Sequence, residues 1–124
     1  MIEQIVLTQQ SERFYAEELI TILESTYNGI IAINREGIVT ICNKSAERFL
    51  GKPASSVLGR HIKEILVNTG LLEVMKTGQA QAGQKLTVGE RTFISNRTPI
   101  YKHGEIIGAI GVFQDISDLD SISR

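Results

Sequence analysis

An arginine on a strand of small and apolar residues is the feature of this chain best suited to chemistry. In Phe93-Ile94-Ser95-Asn96-Arg97-Thr98-Pro99, strand alternation puts Phe93, Ser95 and Arg97 on one face and Ile94, Asn96 and Thr98 on the other. If the first face lies under a cover, Arg97 carries a permanent charge into an apolar cleft, where leaving it unpaired is costly. One reading has Arg97, with Ser95, bind the acid group of a small metabolite. The other has it pair with an acid of its own chain or snorkel to solvent.

The other reactive residues form no motif with a mechanism. His61, His103 and Cys42 belong to a helix start, a turn and a strand end, without the spacing of a zinc site. Gly78-Gln79-Ala80-Gln81-Ala82-Gly83-Gln84-Lys85 resembles a phosphate loop, but Gln84 stands where the lysine must be, and a strand follows instead of a helix. Asp115, Asp118 and Asp120 lack the glycine that lets a calcium loop turn. They suit the first turn of a helix, which favours negative charge. No nucleophile, base and orienting group recur together, so the expectation is a binding module and no enzyme.

The totals agree with a small globular unit. A chain of 124 residues fits one domain that buries roughly two thirds of its unfolded surface. With 13 basic and 14 acidic residues it shows no electrostatic footprint for nucleic acid or an anionic membrane. A single cysteine excludes an internal disulfide framework and fits a reducing compartment. No run approaches the ~20 apolar residues of a membrane span, and the N-terminus lacks a signal-peptide pattern. The expected location is the cytoplasm, with no membrane and no direct nucleic-acid contact.

These residues must be positioned by a mixed set of elements. Residues 1–25 contain no Gly or Pro and predict an amphipathic helix, with Ile2, Ile5 and Val6 and then Ala16, Leu19, Ile20 and Leu23 at helical spacing. A hairpin follows, Ile30 to Ile33 and Ile38 to Cys42, around Asn34-Arg35-Glu36-Gly37. Asn43 is the expected cap of a short helix, Lys44 to Leu50, ended by Gly51. Further short helices are predicted over Ala54 to Leu58 behind Pro53, over His61 to Leu66, and over Leu71 to Lys76 capped by Thr69. Strands then run over Gln84 to Val88, Arg91 to Tyr101 and Glu105 to Gln114, the last two turning at Lys102-His103-Gly104-Glu105. Gly108 and Gly111 interrupt the final strand where something approaches its backbone. The order predicts an α+β fold, a five-stranded antiparallel sheet with short helices over one face.

The joint order of Asn28-Gly29, Gly37-Ile38, Asn43-Lys44-Ser45-Ala46, Leu58-Gly59, Pro99-Ile100, Gly104 and Asp115-Ile116-Ser117 resembles a PAS domain over residues 26–117. More narrowly, Asn68-Thr69-Gly70-Leu71, Ser95 to Ile100 and Gly111 to Ile116 look like the N-terminal PAS sensor of sigma-54-dependent transcriptional activators. That resemblance implies a sensory and dimerisation module of a bacterial transcriptional regulator, with ATPase and DNA-binding domains downstream. Haem-binding members use a histidine on the last helix before the third strand, and Leu71 to Thr77 has none. Flavin-binding members use a cysteine on an earlier helix, whereas Cys42 ends a strand. Neither cofactor is expected; an unidentified small organic acid is the ligand that the first reading of Arg97 allows.

The resemblance also implies a register that parity alone leaves open. Phe93, Ser95 and Arg97 then face the helices together with Ala109, Gly111 and Phe113; the small Ala109 and Gly111 leave room for a pocket beneath the helices, and Ile31, Ile33, Ile62, Leu66, Leu72 and Met75 close its walls. Ile110 and Val112 face away and need a cover. The N-terminal helix can supply it through Ile5, Ala16, Leu19, Ile20 and Leu23, from its own chain or from the partner in a homodimer. Asp115 and Ser117 stand at the joint where the sheet passes to an output helix starting within 118–124, as hinge or as signalling contact. Two further readings stay open: a ligand-free structural dimerisation module, and the sensor region of a histidine kinase or other signalling enzyme.

Overall fold

The structure, a computed structural model, describes residues 18, 21–22, 27–66 and 69–117. Of the predicted N-terminal helix only Glu18, Thr21 and Ile22 are described, each helical; Ile5, Ala16, Leu19, Ile20 and Leu23 lie outside the described residues, as does the predicted output-helix segment 118–124.

Five antiparallel strands form one sheet in the order β2-β1-β5-β4-β3. They are β1 (Gly29–Asn34), β2 (Val39–Cys42), β3 (Gln81–Val88), β4 (Arg91–Lys102) and β5 (Glu105–Asp115). Between β2 and β3 run four short helices, α1 (Lys44–Leu50), α2 (Ala54–Val57), α3 (Ile62–Ile65) and α4 (Leu71–Thr77). The sheet is held by its last hairpin. Residues His103 (φ 53°) and Gly104 (φ 78°) form a two-residue turn, both left-handed, whose twist matches the strands it joins.

The local chemistry that starts the helices is visible in their caps. Asn43 Oδ1 accepts from Ala46 N at 3.0 Å and from Ile30 N at 2.9 Å, so one side chain caps α1 and ties it to β1. His61 Nδ1 accepts from Lys63 N at the start of α3. Thr69 stands one residue outside the cap of α4, which is Gly70, yet its hydroxyl still accepts from Leu71 N at 3.3 Å.

Alternation decides which face is the core. Phe93, Ser95 and Arg97 on β4 and Ala109, Gly111 and Phe113 on β5 are all buried, and the strands pair Ser95 with Phe113, Arg97 with Gly111 and Pro99 with Ala109. Phe93, Phe113, Ile31, Ile33, Val57, Ile62, Leu71 and Val74 pack in one cluster beneath the helices, and Phe49 of α1 stacks obliquely on Phe93 with ring centroids 4.8 Å apart. Each such side chain contributes about 1.5–3 kcal/mol by leaving water. Ile110 and Val112 are half-buried on the opposite face, beside the buried Ile30 and Ala32.

Three sequence expectations need correction. The third strand begins at Gln81 and not at Gln84, because Gly83 (φ 64°) forms a bulge that lets Gln81 pair with Arg97 while Gln84 pairs with Ser95. The second helix stops at Val57, with Leu58 extended and exposed. The small residue Gly111 does not leave a void: a Cβ there would lie 3.2 Å from Leu71 Cδ2, so α4 fills the space. At Gly108 the close neighbour is the Ile33 carbonyl of β1.

Candidate functional site

The predicted pocket residues divide into two spaces. Ile31, Leu66, Phe93 and Phe113, with Phe49 and Leu86 among others, line an apolar crevice of only about 20 Å³, which is room for roughly one water. Ile62, Leu66, Leu72 and Arg97, joined by Lys63, Thr69, Gly70 and Glu73, line a second cleft of about 560 Å³. Ile33, Met75, Ser95, Ala109 and Gly111 line neither. The single pocket expected from the sequence is therefore closed at its deep end by packed side chains, and it is open between α3, α4 and β4.

Arg97 is the buried charge of this cleft, 7% exposed. Its Nη1 donates to Gln81 Oε1 at 2.9 Å, a neutral partner brought into reach by the bulge at Gly83. Its Nε has no partner, and among the described residues Arg97 takes part in no ion pair. Burial pulls its pKa below the ordinary arginine value, and the Glu73 carboxylate on α4 partly offsets this. A guanidinium remains charged at neutral pH all the same. The internal partner weighed for Arg97 is thus a distant acid and a direct amide.

Gly70 shapes the approach to Arg97. It has φ 78°, and a Cβ at this position would lie 2.8 Å from Arg97 Cζ. The backbone entering α4 therefore rests against the guanidinium, as only glycine permits in this left-handed conformation. Gln81 and Gly70 carry no sequence signal of their own for a role beside Arg97. Both are legible in retrospect as partners of a bulge glycine and of a helix start that must pass a long side chain.

Ser95 does not join Arg97 in the cleft. It is fully buried, opposite Phe113, and its Oγ has no hydrogen-bond partner.

At the far end of β5 the relay residues form a compact network. Asp115 Oδ1 accepts from Ser117 N at 2.9 Å, Asp115 Oδ2 lies 3.3 Å from Arg91 Nη1, and Ser117 Oγ accepts from Thr92 N at 3.0 Å. Ile116 N also donates to Thr92 O. Burial raises the Asp115 pKa, but the bonds from Ser117 and the charge of Arg91 outweigh it, so the carboxyl lies below its ordinary value. The chain leaving the sheet is thereby clamped to the start of β4.

A family model described as PAS fold matches residues 17–116. The chain belongs to the PAS family. It is 38% identical over 105 residues to Sensor protein CitS of Halalkalibacterium halodurans, covering 83% of this chain and 20% of that protein. It is 37% identical over 98 residues to a probable C4-dicarboxylate sensor kinase of the same organism, covering 79% of this chain and 18% of that protein. Among solved structures it is similar to histidine kinase ThkA in complex with response regulator protein TrrA, with a TM-score of 0.72 and 27% identity over 83% of this chain and 33% of that one. The chain spans about a fifth of the length of the curated relatives it matches.

These likenesses identify a PAS sensory domain and correct two expectations. The narrower resemblance to sigma-54-dependent activators is not supported, nor are the ATPase and DNA-binding domains that came with it, because the relatives are sensor proteins and sensor kinases. The expectation of no enzyme is overturned on the same ground: kinases are among the relatives, and this chain matches a PAS segment that is a small part of them. Among the described residues no helix is long and apolar enough to cross a membrane.

Proposed function

We propose that this chain is the sensory domain of a sensor histidine kinase, which reads a small organic acid at Arg97 and passes the change along β5 to the Asp115–Ser117 joint. The observation that carries this reading is the buried Arg97, facing a cleft of about 560 Å³ with an unpartnered Nε and no ion pair among the described residues. An arginine held this way is arranged for a carboxylate arriving from outside. The likeness to a kinase named for C4-dicarboxylates supports an acid as the ligand class.

Residues 26–117 form the sensory unit in this reading, 1–25 a helix that pairs copies in a homodimer, and 118–124 the start of the output helix. Half-buried Ile110 and Val112 on the back of the sheet supply the matching apolar surface. A cytoplasmic location is part of the same proposal, supported by a single cysteine that cannot form an internal disulfide.

Calorimetric titration of the 124-residue chain with acetate, butyrate and succinate tests the ligand class. At least one acid is expected to bind saturably, and Arg97→Gln to weaken it about tenfold or more. Affinity unchanged by the substitution, in a variant that still melts cooperatively, contradicts the proposal. A second reading, a ligand-free dimerisation module, is favoured by the filled apolar crevice of about 20 Å³. Under it no acid gives heat.

A further inference from the structure

We infer that the start of β3 is a two-state element. A one-residue change of register at Gly83 exchanges Gln81 for Ala82 beside Arg97 and lengthens the connection that holds the end of α4. Such an exchange involves the protein's own contacts alone and goes beyond the acid reading of the cleft.

In the observed register Gln84 pairs with Ser95 and Gln81 with Arg97, so two residues of β3, Ala82 and Gly83, stand opposite Asn96 alone. This is a bulge with a left-handed glycine, φ 64°. A Cβ on Gly83 would meet nothing within 4 Å, so glycine serves the backbone angle there and not the space. Two side-chain bonds hold the bulge: Asn96 Oδ1 accepts from Gly83 N at 2.8 Å, and Gln81 Oε1 accepts from Arg97 Nη1 at 2.9 Å. With the bulge relieved, Gly83 stands opposite Asn96 and Ala82 opposite Arg97. Alternation then places the Ala82 methyl on the helical side and turns Gln81 to the other face, opposite Thr98.

Little opposes this change. β3 is an edge strand, and residues 82–85 are all exposed, so no large apolar side chain is uncovered. Register is weakly specified in such a strand. The guanidinium that Gln81 leaves has Glu73 at hand, whose charge already reaches it from α4. The residue released from the bulge passes into 78–80, between α4 and β3, and adds about 3.3 Å of chain. That segment begins at Gly78, the C-cap of α4, whose carbonyl accepts from the Tyr101 hydroxyl at 3.1 Å. The bulged register therefore keeps α4 drawn against β4 while Gln81 holds Arg97. The regular register slackens the end of α4 and releases Arg97 in one step. Because α4 carries Leu72 and Glu73 on the wall of the cleft, the edge strand sets how that wall is held.

Heteronuclear NMR of the labelled 124-residue chain, of Gly83→Val and of Gly83→Asn makes the test. Valine is strongly disfavoured in left-handed backbone, whereas asparagine tolerates it. Position 83 is exposed and open, and cooperative melting verifies the fold of each variant. In the unaltered chain and in Gly83→Asn, cross-strand NOEs are expected between Arg97 and Gln81. In Gly83→Val they are expected to move to Ala82, and the Gly78 amide, bonded to Val74 O, to exchange about tenfold faster. Relaxation dispersion in the unaltered chain is expected at Gln81, Gly83 and Arg97, with shift differences that match the Gly83→Val spectrum. Arg97 still facing Gln81 in Gly83→Val, or facing neither residue because β3 has frayed, overturns the inference. Flat dispersion profiles overturn it as well, since the natural chain then keeps one register. A changed register with the Gly78 amide still protected overturns the link to α4.

Discussion

Arg97 sits where β4 passes beneath the entry to α4, and two neighbours make that placement possible. Gln81 provides a neutral oxygen, and Gly70 leaves the volume in which the guanidinium lies. Gly70→Ala combines a left-handed backbone (φ 78°) with an overlap on Arg97 and is expected to destabilise the domain by about 1–3 kcal/mol, measured by urea unfolding. An unchanged midpoint would mean that the guanidinium moves aside freely and is not held. Asp115 gives a pH prediction. Its folded pKa lies below the unfolded one, so its contribution is complete above the unfolded carboxylate range, near 3.9, and fades as the pH falls through the lowered value. Because Asp115 is partly solvent-exposed, the effect is a modest one. Thermal melts from pH 6 to pH 2 should show part of the acid loss of stability disappear in Asp115→Asn. Identical profiles for the two proteins would show that the Arg91–Asp115–Ser117 contacts contribute nothing to the fold.

At the scale of elements, the strands and short helices could be read from the residues because their signals are local. Alternation marks the long hairpin, Asn43 caps α1, and the glycines Gly51 and Gly78 end helices in left-handed conformations. What was not legible depends on distant partners. A bulge at Gly83 moves the start of β3 back to Gln81, and nothing in Gly78 to Gly83 alone distinguishes a bulged strand from a loop. Likewise the small residues of β5 suggested room for a ligand, yet Leu71 occupies the space above Gly111. Side-chain volume on a strand indicates a cavity only when the covering helix is known. Ser95 shared a face with Arg97 as alternation requires, but the long arginine reaches the cleft and the short serine stays in the core. The same close packing yields a prediction at Gly108, where a methyl group meets the Ile33 carbonyl. Gly108→Ala is expected to part β1 from β5 locally and cost about 1–3 kcal/mol. Amide exchange should then quicken along Ile31–Asn34; unaltered protection there would contradict the tight β1–β5 contact.

In the whole molecule, a cleft on one face of the sheet and a clamp at the end of its central strand share β5 as their neighbour. β5 runs between β1 and β4, so a ligand that draws α4 and Arg97 together acts on the strand that ends at Asp115. For such coupling to switch an output, the ligand must bind one of two states better by several kcal/mol. The proposed homodimer uses the opposite face. Ile110→Glu is expected to convert a dimer to monomers in sedimentation equilibrium with the fold intact, whereas an unchanged mass would place the interface elsewhere. The central claim, that Arg97 awaits an external carboxylate, is tested most directly at its unpartnered atom. In a ¹⁵N-labelled chain the Arg97 Nε–H resonance, assigned by its loss in Arg97→Gln, is followed as butyrate is added at neutral pH. A saturable downfield movement of that proton is expected, as the N–H gains a charged acceptor. A resonance that stays in place up to the solubility of the acid, or one that moves only in proportion to ionic strength, would contradict it.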